Sequence, residues 1–350
     1  MRLGLIARFV FAIAFTFATA AQAQPDFFKD FLPSTIGPGS VSVATFTINN
    51  TAGGAVTSLA FTDDLPASVT IADPAAVVST CALAVGGSIS APVGGSTITL
   101  AGGQLPAGQI CTISVNVTGS TPGTHTNPAV TLNSSNGSSL SAPANLIVAT
   151  DRPGFTKTFS PNSLSLGERS TLTLTIDNSA NAAGITSIVF TDAFPVGLGV
   201  ADPSNAASDC GGDPTFVVGP DFISFSLFGD GLPPAEILGA GAICTVTVDV
   251  VATSGGSLGN VTSELSTNAG SSGKAGASLD VSVTALALDK DFIDDPVAPD
   301  NVATLDFIVS NFDRDFTATG VSFTDDLSTV SAALSFQNAV ISNSCSGSVV

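Results

Sequence analysis

The chain states one pattern three times. FKDF at 28–31 returns as TKTF at 156–159 and DKDF at 289–292. FTDDLP at 61–66 returns as FTDAFP at 190–195 and FTDDLS at 323–328. ICTISVNV from Ile110 returns as ICTVTVDV from Ile243. The lysines step by 128 and then 133 residues, and the FTD motifs by 129 and then 133. Such a period is too long for one solenoid unit and has the size of a whole domain. The chain therefore reads as a tandem array: one module over 24–150, a second over 151–284, and an incomplete third over 285–350.

Within each copy the hydrophobic pattern is that of strands. Segments 41–48, 170–176 and 303–309 alternate apolar and small polar residues with period two. Asn49-Asn50, Asp177-Asn178 and Ser310-Asn311 close them with turn chemistry. Further strands are predicted at 57–62, 186–191, 320–324, 96–100, 111–117, 125–132 and 145–149, with Gly- and Pro-rich punctuation between them. Segments 79–95 and 209–221 read as divergent loops. No window offers a capped amphipathic helix. Seven or eight short strands per module are the mark of an antiparallel, immunoglobulin-like β-sandwich, so the fold class is all-β. Phe46, Ile48, Phe61, Ile113, Val115 and Val117 are the expected inward residues of the first module.

Residues 1–23 read as a secretory signal. Arg2 and Arg8 precede an apolar run over 9–18, and Ala21-Gln22-Ala23 supplies a small-residue cleavage site. The run is too short to span a bilayer comfortably, and no later stretch is apolar for long enough to be a membrane helix. The chain after cleavage is expected to be exported, to the cell surface or beyond. It keeps seven basic residues against 28 acidic ones, a net charge of −21. That argues against nucleic acid and anionic lipid as partners, since both need a basic footprint. Trp and Tyr are absent, which removes the aromatic girdles of an outer-membrane barrel and the stacking platform common in sugar sites.

Five cysteines in an exported chain imply disulfides. Cys81 and Cys210 are equivalent in the repeat, as are Cys111 and Cys244, so the expected bridges are Cys81–Cys111 and Cys210–Cys244. Cys345 is the third copy of Cys81. Its counterpart, with further modules, is expected beyond Val350.

The order KxF, TxTIxN, FTDxLP, a cysteine, then LPAG-x-x-CTVTVxV resembles the bacterial "conserved repeat domain" family of unknown function. That family is found in large cell-surface proteins. The likeness covers residues 27–350. It implies tandem immunoglobulin-like sandwiches and assigns no chemistry.

The sequence holds few residues in patterns that carry chemistry. The lone histidine, His125, sits in THTNP without a supporting motif, and no G-x-S-x-G is present. Gly239-Ala240-Gly241 matches the LPAG turn of the first module, not a dinucleotide loop. Asp289, Asp291, Asp294, Asp295 and Asp300 crowd the start of the third module, but no calcium-loop spacing accompanies them, and they read as turn residues. No metal and no cofactor is expected.

The lysines stand out. Three of the four in the chain, Lys29, Lys157 and Lys290, are equivalent in the repeat. Asn127 and Asn260 stand 133 apart in a late strand, and Asp63 and Asp192 end a middle strand. First-strand Lys, late-strand Asn and a mid-domain acid are the parts of an intramolecular isopeptide bond. Against this, the disulfides already close each module. The blander expectation is a lysine that snorkels from an edge strand and deters edge pairing. Taken together, the sequence predicts a non-enzymatic surface or extracellular array, a spacer or adhesion device with an unnamed surface or matrix partner. The alternative is an array that binds carbohydrate or calcium through sandwich-end loops.

Overall fold

The computed structural model of the chain describes residues 23–211, 215–227, 238–283, 286–294, 296–298, 300–311, 318–327 and 344–345. Residues 1–22, within the segment 1–23 expected to be a signal, lie outside them. Among the described residues there is no α-helix, and so none long and apolar enough to cross a membrane.

Residues 26–148 build one sandwich. Its first sheet runs Asp26–Leu32, Val41–Asn49, Ile110–Gly119 and Val69–Ile71, with Val78–Ser79 also on Ile110–Gly119. The second runs Gly137–Leu140, Thr131–Ser134, Val56–Asp64, Thr97–Leu105 and Ala82–Ser90. A short third sheet joins Gly123–Asn127, Ala144–Val148 and Thr35–Ile36, the last pair parallel. Residues 154–282 repeat the plan, with Gly154–Ser160 on Arg169–Asp177 and then Ile243–Ala252 in the first sheet. Ile188–Ala193 is central to the second sheet. Gly256–Val261 lies on Gly276–Ser282 in the third.

Period two explains which residues fill the gap between sheets. Val41–Asn49 buries every second residue, and Phe46 and Ile48 are sealed from water, as are Ile113, Val115 and Val117 on the paired strand. Phe27, Phe46 and Phe61 form an aromatic cluster with centroids 4.7–6.2 Å apart. Phe155, Phe190 and Phe225 do the same in the second sandwich, at 5.0 and 5.3 Å. Each sandwich has a separate apolar core. Cys81–Cys111 and Cys210–Cys244 are bonded, each tying a short segment to the long central strand.

Three readings of the pattern are corrected. The stretch 125–132 is two strands in different sheets, broken at Pro128, which has no N–H to donate to a ladder. Segments 79–95 and 209–221 are not all loop: they hold the strands Ala82–Ser90, whose glycines and exposed Leu83 and Val85 hide the alternation, and Thr215–Val218. Segment 320–324 is not a strand, though Phe323 packs on Phe307 at 4.9 Å. The hairpin before it, Leu286–Phe292 with Leu305–Asn311, is present.

The two sandwiches meet directly. Val41 and Lys274 exchange both backbone hydrogen bonds, at 2.7 and 2.9 Å. Gly37 N–H donates to Ser272 O at 2.9 Å, and Phe155 N–H to the buried Ser40 Oγ at 2.8 Å. A Cβ on Gly37 would fall 1.9 Å from the Pro153 carbonyl oxygen, so only glycine permits this approach.

Candidate functional site: a buried lysine, aspartate and asparagine in each sandwich

The lysine strand Asp26–Leu32 alternates exposed and buried, which turns Phe27, Lys29 and Phe31 to one side. Two apolar neighbours thereby carry the ammonium into the core. The strand Val56–Asp64 turns Leu59, Phe61 and Asp63 inward by the same alternation. Asn127 closes the strand Gly123–Asn127 and is fully buried. Three elements from three sheets thus converge on one point.

There, Lys29 Nζ donates to Asp63 Oδ1 at 2.8 Å and to the Pro128 carbonyl at 2.6 Å. Asn127 Nδ2 donates to Asp63 Oδ2 at 2.7 Å. The aspartate is a bridge, one oxygen to each partner. Asn127 Oδ1 is buried and accepts no hydrogen bond. The Lys29 and Asp63 side chains are both 0% exposed.

The second sandwich repeats the trio with one difference. Phe155, Lys157 and Phe159 point inward from Gly154–Ser160. Lys157 Nζ lies 2.7 Å from Asp192 Oδ2, again with both side chains 0% exposed. Here the ammonium also contacts Asn260 Oδ1 directly. Asn260 Nδ2 donates to Asp192 Oδ1 at 2.9 Å and to the Ala193 carbonyl at 3.0 Å. Those two acceptors fix the amide so that its oxygen faces the lysine.

Burial sets the electrostatics. Desolvation drives the Lys157 ammonium down to about 8, against the pull of the Asp192 carboxylate. It pushes the Asp192 carboxyl above the usual carboxylate range, opposed by Lys157 and Asn260. Lys29 is likewise lowered by burial, with Asp63 opposing. Both effects move the pair toward a neutral amine beside a neutral acid.

The expectation of snorkelling lysines is overturned. Both lysine strands are edge strands, but neither ammonium reaches water. The signal was present in the sequence: F-x-K-x-F places the lysine on the phenylalanine face. The third lysine differs, since Lys290 meets Asp325 at 2.7 Å with the side chains 31% and 25% exposed. The Pro128 and Ala193 carbonyls carry no side-chain signature and were not foreseen. Buried Asn50 was read as a turn residue. Its amide also ties the turn at Gly54 O, at 2.7 Å, to Pro106 O, at 3.1 Å.

The other candidates are dispersed. His125 Nε2 sits 2.7 Å from the Thr121 carbonyl. Among the described residues, Asp209, Cys210 and Cys244 cluster like metal ligands, but the two sulfurs are spent on each other. A cavity of about 180 Å³ at the junction, lined by Asp73, Thr118, Thr156 and Lys157 among others, is below the size of ordinary small-molecule sites.

The sequence model of the family described as "Domain of unknown function (DUF7933)" matches residues 25–148 and 153–281. The chain belongs to this family. It carries two tandem copies of this domain of unknown function, folded as immunoglobulin-like sandwiches. No curated protein matches it. Among solved structures it is similar to the C-terminal domain of the Streptococcus agalactiae AgI/II polypeptide BspA. That likeness has 10% identity and a TM-score of 0.29, over 73% of this chain and 99% of that one. It is also similar to the collagen adhesin of S. aureus, with 10% identity and a TM-score of 0.26 over 83% and 95% of the two chains. A third likeness is to red sea bream transglutaminase, with 9% identity and a TM-score of 0.24, over 75% of this chain and 32% of that chain.

Proposed function

We propose that the chain is a non-enzymatic, exported array at the bacterial surface or outside the cell, acting as a load-bearing spacer or in adhesion. The junction carries this reading. Paired backbone hydrogen bonds between Val41 and Lys274, and the Ser40 cap on Phe155 N–H, join one sandwich to the next. A linked pair of this kind holds its ends apart, as a spacer must. The disulfide in each sandwich suits an oxidising compartment. The partner of the chain is read as a surface or matrix macromolecule, not nucleic acid, because acidic residues outnumber basic ones by 28 to nine.

Small-angle scattering of the chain, joined to single-molecule pulling from its ends, tests this. A spacer gives an extended shape with little hinge motion, and under load it either resists extension or gives way one module at a time in discrete events. Scattering from freely hinged modules, or extension without discrete events, would overturn it.

A further inference from the structure

We infer that each sandwich closes itself with an amide cross-link between its buried lysine and asparagine, Lys29 to Asn127 and Lys157 to Asn260. Asp63 and Asp192 serve as the proton shuttles. The inference rests on the load-bearing reading for its purpose, but not for its chemistry.

The second sandwich has every part in contact. The nucleophile, Lys157 Nζ, touches the amide it would attack through Asn260 Oδ1. Asp192 spans the reaction, with Oδ2 at 2.7 Å from Nζ and Oδ1 at 2.9 Å from the leaving nitrogen Nδ2. The Ala193 carbonyl, 3.0 Å from Nδ2, holds the amide in that orientation. Water is shut out, so hydrolysis does not compete.

The atoms balance without an outside reagent. Lys157 begins with three protons on Nζ and Asp192 as carboxylate. One proton passes to Asp192, leaving a neutral amine beside a carboxylic acid. The amine lone pair attacks Asn260 Cγ and the Nζ–Cγ bond forms. Asp192 gives its proton to Nδ2 and takes another from Nζ. The Cγ–Nδ2 bond breaks and Nδ2 leaves as ammonia. What remains is a secondary amide and a protonated Asp192, with no net charge. The raised carboxyl and lowered ammonium favour both ends of this sequence. Two buried charges become none, which removes the cost of keeping ions out of water.

In the first sandwich Asp63 bridges the same two groups, and Asn127 Oδ1 is left without a hydrogen bond. Lys29 Nζ rests on the carbonyl of the very next residue, Pro128. The geometry supplies a motive. The bond joins the first strand of each sandwich to a late one, so tension on the ends passes through it and bypasses most of the core.

Intact mass spectrometry of the whole folded protein, reduced and denatured before measurement, decides the matter. The expected mass is two ammonias below that of the chain counted from its observed N-terminus. Tryptic peptides should be joined at Lys29–Asn127 and Lys157–Asn260. An unaltered mass overturns the inference, and a loss of one ammonia overturns it for the module whose lysine stays free. A succinimide at asparagine also loses ammonia but leaves the lysine open to trypsin, and that result too overturns it. Asp63→Asn and Asp192→Asn keep the packing and should each restore one ammonia. A cross-link that forms without its aspartate would remove the shuttle role. An unlinked protein that still pulls as discrete modules would sink the bond and leave the spacer reading standing.

Discussion

Lys29 and Asp63 are 34 residues apart in sequence and 2.8 Å apart in space, and neither side chain touches water. Without Asp63 the cross-link does not form, and Lys29 stays a buried amine with neither solvent nor counter-ion. Asp63→Ala should therefore cost the first sandwich about 3–5 kcal/mol, more than any surface ion pair. Denaturant titration should show that module unfolding early, with the second unmoved. Asp325→Ala should change little, because Lys290 is partly solvated. Equal effects at the two sites would contradict the burial described for Asp63.

The Cys81–Cys111 bridge spans a sequence separation of 30. Chain-entropy bookkeeping gives such a loop about 3.5 kcal/mol. Replacing both cysteines by serine should lower the stability of the first sandwich by about that much. Peptide mapping without reductant should recover Cys81–Cys111 and Cys210–Cys244. Links between modules, such as Cys111–Cys210, would be incompatible with the structure.

The pH response of the second sandwich separates linked from unlinked protein. In an Asn260→Ala variant, Lys157 stays a titrating amine, with its folded value near 8 and its unfolded value at 10.5. Between those values the unfolded chain binds more protons, so stability rises with pH, by roughly 3 kcal/mol at most. Asp192 works in the other direction at acid pH. Its folded value lies above 3.8, so its contribution falls as pH climbs from 3.8 through that folded value. The cross-linked wild type has no amine at Lys157 and should lack the alkaline rise. Thermal melts at pH 8 and pH 10, with Cys345→Ser to prevent exchange, read the difference. A variant whose melting temperature does not climb would count against the lowered lysine.

Limited proteolysis should begin beyond residue 285. The hairpin Leu286–Phe292 with Leu305–Asn311 leaves Leu288 exposed, and Phe323 beside it, whereas their counterparts Phe27 and Phe61 are buried. Thermolysin should trim this part first and leave a resistant fragment ending near residue 284. Equal resistance along the chain would show that the third copy buries its apolar face.

The repeat, the strands and the inward residues were legible because they are local. Period-two alternation reports which side of a strand faces the core, and Phe46, Ile48 and Phe61 follow it without help from distant residues. Equivalence within the repeat likewise pointed to the cysteine pairs and to the trio of Lys, Asp and Asn. What alternation cannot report is which sheet a strand joins. So 125–132 read as one strand, Ala82–Ser90 read as loop, and 320–324 read as strand. Nor could it say how deep the lysines lie. F-x-K-x-F puts Lys157 on the core side, but only the second sheet, closing over it with Asp192, and the third, with Asn260, remove the last water. Side-chain direction is a property of one strand. Desolvation, and the contact of three side chains from three sheets, is a property of their packing, and that was decided by the tertiary structure alone.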